Sequence, residues 1–208
     1  MKRPCIAFKL NYCNGGSSSE RVGFCGTCQD NIRWFNSYEN KARDLWCRHP
    51  NCACRRYYEE NSFPEEFICN ECTALRDWKF SVGNDKPQRI RHAKENHLCL
   101  LTTVRPNMPE YDRVVFALFI IEKIFRGDDE HAGCVEADKH WRLEFRPREV
   151  HLMNFWSIYP DSSKSFGGLF RYFDDATAIK FLEQAVEVKR GTPEEDFAKE
   201  FFKQYPYK

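Results

Sequence analysis

Seven of the eleven cysteines fall between residues 25 and 72, and they fall in short-spaced groups. Cys25-Gly26-Thr27-Cys28 is a C-x2-C, Cys47 to Cys54 is a C-x4-C-x-C, and Cys69-Asn70-Glu71-Cys72 is a second C-x2-C. Two thiolates on one turn occupy one face of a metal ion, and a second pair from elsewhere completes the tetrahedron. Gly26, Pro50 and Asn51 are turn formers, so the short spacings fall in turns. Sulfur donors in that geometry favour Zn2+ over hard cations. Four thiolates leave no position open for a catalytic water, so the expected role of the zinc is structural. The expected core set is Cys47, Cys52 and Cys54 with Cys69 or Cys72. Cys25 and Cys28 either complete that site or begin a second one, and His49, Cys5 and Cys13 could also contribute.

The remaining composition sets the compartment and excludes some partners. The net charge is only +1, with 30% of residues charged, so no global field draws the chain to nucleic acid or to a membrane surface. No apolar run reaches the ~18 residues that a bilayer span needs. The start, Met1 to Cys5, lacks the apolar stretch of a secretory signal. The expectation is therefore a reducing, cytoplasmic location, where disulfides are rare and clustered cysteines point to metal. Cys99, inside Leu98-Cys99-Leu100-Leu101, reads as a small core hydrophobe, and Cys134 as a lone cysteine in a polar loop.

Beyond the cysteines the chain alternates strand and turn signals. The sequence predicts a strand near Ile6 to Tyr12 and a linker at Gly83-Asn84-Asp85-Lys86-Pro87. A buried strand is expected over His97 to Thr103 and a central one over Val114 to Ile121, whose continuation to Phe125 leaves the core. Residues 126–139 read as a polar loop, with Glu136, Asp138, Lys139 and His140 solvated. Trp141 to Phe145 alternates as a half-buried strand, and Gly168 to Phe173 reads as another. Asp174 or Asp175 caps a helix with Ile179, Leu182, Ala185 and Val186 on one face. Thr192-Pro193-Glu194-Glu195 reads as a capping box opening a helix that carries Phe197, Phe201 and Tyr205. The expected class is α+β: a cysteine-rich zinc module over 1–83, then a small β-barrel with C-terminal helices over 84–208.

Cations and aromatics interleave around the cysteines, as in Arg33-Trp34-Phe35, Arg55-Arg56-Tyr57-Tyr58 and the stretch from Leu75 through Trp78 to Phe80. Guanidinium groups suit phosphates and aromatic faces suit bases, although the same aromatics could equally pack a small core. Residues 1–113 hold 18 Lys and Arg against 14 Asp and Glu, so the modest basic bias lies in the first half.

The order of the stretches HLCLLTT (97–103), RVVFALFIIEKIF (113–125) and WRLEFRPREVHLMNFW (141–156) resembles the strand plan of PUA-like barrels, the group of EVE, YTH, ASCH and SRA domains. The resemblance covers roughly residues 85 to 185. With WCRHPNCACRRYY (46–58) and FICNEC (67–72), the chain also resembles zinc-bearing regions beside PUA-like modules in bacterial modification-dependent restriction proteins. The resemblance implies a reader of modified DNA bases that flips a base into a pocket on the barrel. Candidates for that pocket in this sequence are Phe155, Trp156 and Tyr159 before the Ser162–Ser165 loop and Phe170, Arg171 and Tyr172 after it, with Trp34 and Trp78 as a further wall; the alternative is that these aromatics fill the barrel core. Arg171, Arg55 and Arg56 would meet phosphates. Many such proteins carry an HNH nuclease after the reader. This chain shows no HNH-like His and Asn cluster and no other catalytic motif, so it departs from that plan. The expected partner is DNA, together with a separate nuclease if the chain is an endonuclease subunit. A zinc-stabilised protein-interaction module is the other alternative.

Overall fold

The computed structural model describes residues 3–10, 78–81, 88–104, 108–145, 147–161 and 163–206. Residues 25–72, with the seven clustered cysteines and with Trp34, Arg55 and Arg56, lie outside the described residues, so the zinc expectation does too.

Six strands form one mixed sheet in the order β2-β5-β4-β3-β1-β6. They are β1 (Cys5–Lys9), β2 (Lys79–Ser81), β3 (Leu98–Thr103), β4 (Val114–Phe125), β5 (Cys134–Glu144) and β6 (Phe170–Phe173). β3, β4 and β5 run as an antiparallel meander; β1 joins β3 in parallel, and β6 and β2 close the two ends antiparallel to β1 and β5. β3 is buried along its whole length, as its unbroken apolar start dictates for a strand covered on both faces. β4 is buried from Val115 to Ile121 and emerges at Glu122, as its sequence predicts.

The sheet is curled into a half-barrel. Strands pair about 4.8 Å apart, so β1 and β2, four steps apart in the order, would lie roughly 19 Å apart in a flat sheet. Instead Phe8 of β1 stacks on Phe80 of β2 with ring centroids 6.3 Å apart. Phe80 in turn stacks on Phe119 of β4 at 5.4 Å. The right-handed strand twist supplies the direction of the curl, and burial of these rings holds it. β1 and β2 precede residue 83 yet pair in the same sheet as the later strands, so the expected 83/84 boundary does not divide the sheet.

Two helices cover the sheet. Asp174 accepts the Thr177 amide at 2.9 Å and caps the helix Asp175–Lys189, which follows α1 (Pro147–Val150) and α2 (Phe155–Ile158) and is α3 here. Its buried stripe is Ala178, Phe181, Leu182, Ala185 and Val188, rotated from the expected Ile179–Val186 face. The ring of Phe181 sets the rotation by packing between Phe155 and Phe173, at 5.7 and 5.8 Å. The last helix, α4 (Glu195–Gln204), starts two residues after Pro193. The capping box is displaced accordingly: the Glu195 carboxylate accepts the Gly191 amide at 2.6 Å, and the Thr192 hydroxyl donates to the Lys189 carbonyl. Phe201 and Tyr205 are buried and Phe197 half-buried, as the i, i+4, i+8 spacing requires.

The polar loop is shorter than the sequence suggests. It ends at Gly133, and residues 134–140 belong to β5. Cys134, Val135 and Ala137 are buried, so Cys134 opens a strand rather than sitting in a loop. Small apolar residues between charged ones give a weak strand signal, and the long partner β4 recruits them. Glu136 is tied across the strands to Lys79 at 2.6 Å.

One buried cation ties the start of β4 to the centre of the sheet. Arg113 grips both oxygens of Glu110 at 2.5 and 2.8 Å, and its third nitrogen donates to the Thr102 hydroxyl at 3.1 Å. That hydroxyl donates onward to the Phe8 carbonyl at 2.7 Å, linking β4, β3 and β1. The guanidinium also lies 4.7 Å from the Phe166 ring centre. Removing one partner of a buried pair strands the other. Arg113→Ala is expected to lower stability by about 3 kcal/mol, the low end for a buried pair because Glu110 keeps part of its solvent, read as a drop in the urea midpoint at unchanged slope.

Candidate functional site

β6 is an end strand, and among the described residues no strand pairs with its outer side. Its alternation sends Phe170 and Tyr172 to one face and Arg171 and Phe173 to the other. At this edge an open hollow of about 700 Å³ is walled by Tyr172, Arg171 and Tyr159, and by Arg3, Arg91, His92 and Lys94 from two other segments.

Main-chain bonds hold those segments in place. The Lys94 amide donates to the Pro4 carbonyl at 2.9 Å, which brings residues 3–4 beside residue 94. The Arg91 amide donates to the Tyr172 hydroxyl at 2.8 Å, and the Tyr159 hydroxyl donates to the Tyr172 carbonyl at 3.3 Å. Arg126 donates to the carbonyls of Ile90 and Arg91, both at 3.2 Å. Gly133 packs so closely on Ile90 that a Cβ would lie 2.8 Å from its side chain and 2.9 Å from the Arg126 carbonyl. The 88–94 segment is therefore clamped between β6 and the β4–β5 loop. The His92 ring meets Tyr172 edge-on at 5.0 Å.

The charges of the hollow are of two kinds. Arg171 is committed: it donates to Asp161 at 2.6 Å, to the Phe166 carbonyl at 2.9 Å and to the Ser165 carbonyl. Its guanidinium also lies within 6 Å of the Trp156, Tyr159 and Phe166 ring centres. Asp161 is held below the usual carboxylate range by its bonds to Ser163, with Arg171 adding a smaller pull. Arg91 and Lys94 are exposed, and among the described residues neither pairs with a carboxylate. Arg3 is exposed, and it adds a minor pull on Asp174, whose pKa is lowered chiefly by bonds from Thr177. Among the described residues no carboxylate lines the hollow. Exposed cations over a shaped, partly apolar wall suit an anion, and the half-buried Tyr172 adds a ring at the rim, whereas Tyr159 is buried and stacked on Phe155 at 4.9 Å.

No family model matches the chain. No curated protein and no solved structure matches it either. The site therefore rests on its own geometry.

That geometry sorts the residues expected from the sequence. Tyr159, Arg171 and Tyr172 come together at the hollow. Phe155 and Trp156 lie behind it as packed core. Trp156 is 5% exposed, and its indole N–H donates to the Glu110 carbonyl at 2.7 Å, so its face is a supporting wall rather than a stacking platform. Trp78 lies elsewhere, edge-on to Phe119 at 5.8 Å with Arg142 over its ring. It packs the sheet interior, which is where its apolar surface is best used. Arg3, Arg91, His92 and Lys94 were not expected from the sequence. The run Arg89-Ile90-Arg91-His92-Ala93-Lys94 carried the signal: Ile90 and Ala93 are buried while the four basic residues are exposed.

None of the described residues forms a group of three or more His, Cys, Asp or Glu able to hold a metal. Cys5 is buried beside Tyr205 and Asp175, at 3.4 and 3.5 Å, and burial pushes its thiol up to about 12. It stays protonated at neutral pH and is no nucleophile. Its pKa lies above the ordinary 9.0, so its contribution to stability is whole below about pH 9 and is lost as pH climbs towards about 12. Cys5 should therefore resist iodoacetamide in the folded protein and react only in denaturant, which peptide mass spectrometry of alkylated samples would show.

Proposed function

We propose that this protein binds nucleic acid, seating a backbone phosphate against Arg3, Arg91 and Lys94 and an unstacked base against Tyr172. The supporting observation is the hollow whose exposed cations converge on Tyr172, with no carboxylate among its described lining residues. Phosphate contacts supply affinity and register, while a base removed from its stack is read by ring faces and polar edges. The curled sheet suits a PUA-like barrel, and on that reading the protein is a reader of modified DNA bases by base flipping, in restriction or defence. Cleavage, if coupled to it, falls to a separate nuclease.

Zinc belongs to the same proposal. Seven thiols in C-x2-C and C-x4-C-x-C spacings are a donor set that fits Zn2+. Cys25, Cys28, Cys47, Cys52, Cys54, Cys69 and Cys72 would hold it, and the ion would supply a rigid cross-link between turns. Purified protein should contain about one or two zinc ions per chain by atomic absorption, and Cys47→Ser should lower that content. A zinc-free chain that is fully folded would remove the metal from the proposal.

The binding test is fluorescence anisotropy with matched duplexes, unmodified, 5-methylated, 5-hydroxymethylated or N6-methylated, at several salt concentrations. Affinity should fall with salt as counterions are released. Lys94→Ala should weaken all duplexes alike and reduce the log–log salt slope by about 1. Tighter binding to one modified duplex would identify the base. Absence of binding to every duplex and to single strands would sink the nucleic-acid reading and leave the interaction module in first place.

A further inference from the structure

A second hollow of about 560 Å³ adjoins the first. The two share Arg91 and Tyr172 as walls, so the pair stands between them as a partition. Each volume lies within the range of sites for small ligands. Their linings differ in kind. Among the described residues, the first offers cations and no carboxylate. The second adds Gln88, Arg89, Asp128 and Asp129, with Phe170 as its aromatic face.

The difference decides what each can hold. The carboxylates of the second hollow repel a phosphate. Asp128 is held low by the Glu130 and His131 amides, so it stays ionised at neutral pH. Asp129 is 94% exposed and pairs with Arg89 at 2.8 Å across open solvent. Exposed pairs of this kind are weak and exchange readily for other partners. The hollow therefore presents donors from Gln88 and Arg89 and acceptors from Asp129 and Gln88. That mix matches a base edge, which carries both. Phe170 is half-buried, with its ring 5.3 Å from that of Tyr172. Arg91 lines both hollows, where the phosphate linking two nucleosides would lie.

We infer that the two hollows act as one track for two consecutive nucleotides of a single strand, with Tyr172 dividing the bases and Arg91 on the phosphate between them. The inference rests on the nucleic-acid reading of the first hollow and narrows it. Bases parted by a tyrosine cannot remain stacked in a duplex, and a strand that is already single spares the cost of unstacking.

The test uses the full chain and fluorescein-labelled oligonucleotides, with unlabelled 5′-mononucleotide and 5′-phosphorylated dinucleotide as competitors. A single-stranded ten-mer should bind at least about tenfold tighter than its blunt duplex, and the dinucleotide should compete at least about tenfold better than the mononucleotide. Arg89→Gln should weaken dinucleotide competition several-fold and leave the mononucleotide unchanged, whereas Lys94→Ala should weaken both. Both substituted side chains are exposed, so the fold is expected to survive and circular dichroism checks it. Equal competition by the two competitors, an Arg89→Gln variant that binds as wild type, or preference for duplex would each overturn the track. Binding through Lys94 would still stand in those cases. Loss of all binding would sink both readings together.

Discussion

The stack of Phe8 on Phe80, and of Phe80 on Phe119, is the constraint on which the rest depends. Each of these rings, once buried, contributes about 1.5–3 kcal/mol relative to exposure. They meet only if the sheet bends, because β1 and β2 are not neighbours in it. The bend encloses the apolar side chains of β3 and β4 and leaves β6 as an end strand. Residues 3–4 and 88–94 then lie beside β6, and the hollow is the space between them. The site thus follows from how the sheet closes rather than from a separate loop built for it.

The cations of this protein divide by whether the fold has already used them. Arg113 is spent on Glu110 and Thr102, Lys189 lies buried against Glu149 at 2.6 Å, and Arg171 is tied to Asp161. Those three hold elements together. Arg91 and Lys94 sit on a clamped backbone and, among the described residues, pair with no carboxylate, so their charge is open to an arriving anion. Clamping matters because a fixed charge spares a ligand the entropy of ordering it.

Long, uniform signals were legible in the sequence. The apolar runs at Leu98 and Val114 became β3 and β4, Asp174 became the cap of α3, and Phe201 and Tyr205 were buried as their spacing requires. The first half of β5 was not legible, because Glu136 and Asp138 interrupt its small apolar residues and only pairing with β4 makes it a strand. The face of α3 was misplaced by a rotation that depends on Phe155 and Phe173, residues distant in sequence. The aromatic half of the site was legible in Tyr159, Arg171 and Tyr172. The cationic half was not, since Arg3 and Lys94 meet only through a bond from Lys94 to Pro4. Sequence proximity also misled: Trp156 lies three residues from Tyr159, yet it faces the core.

The pairing of β1 has a bearing on how the chain is made. Ile6 pairs with Cys99 on one side and with Tyr172 on the other. β1 thus has no partner until residue 99 has been made, and no second one until residue 172 has. At roughly 5–20 residues per second, that wait lasts several seconds or more, with Ile6 and Phe8 unburied throughout. Sheets completed by such distant pairings also fold slowly, because loop closure precedes the contacts that reward it. Until those partners arrive, an unpaired apolar strand of this kind is a surface on which nascent chains aggregate.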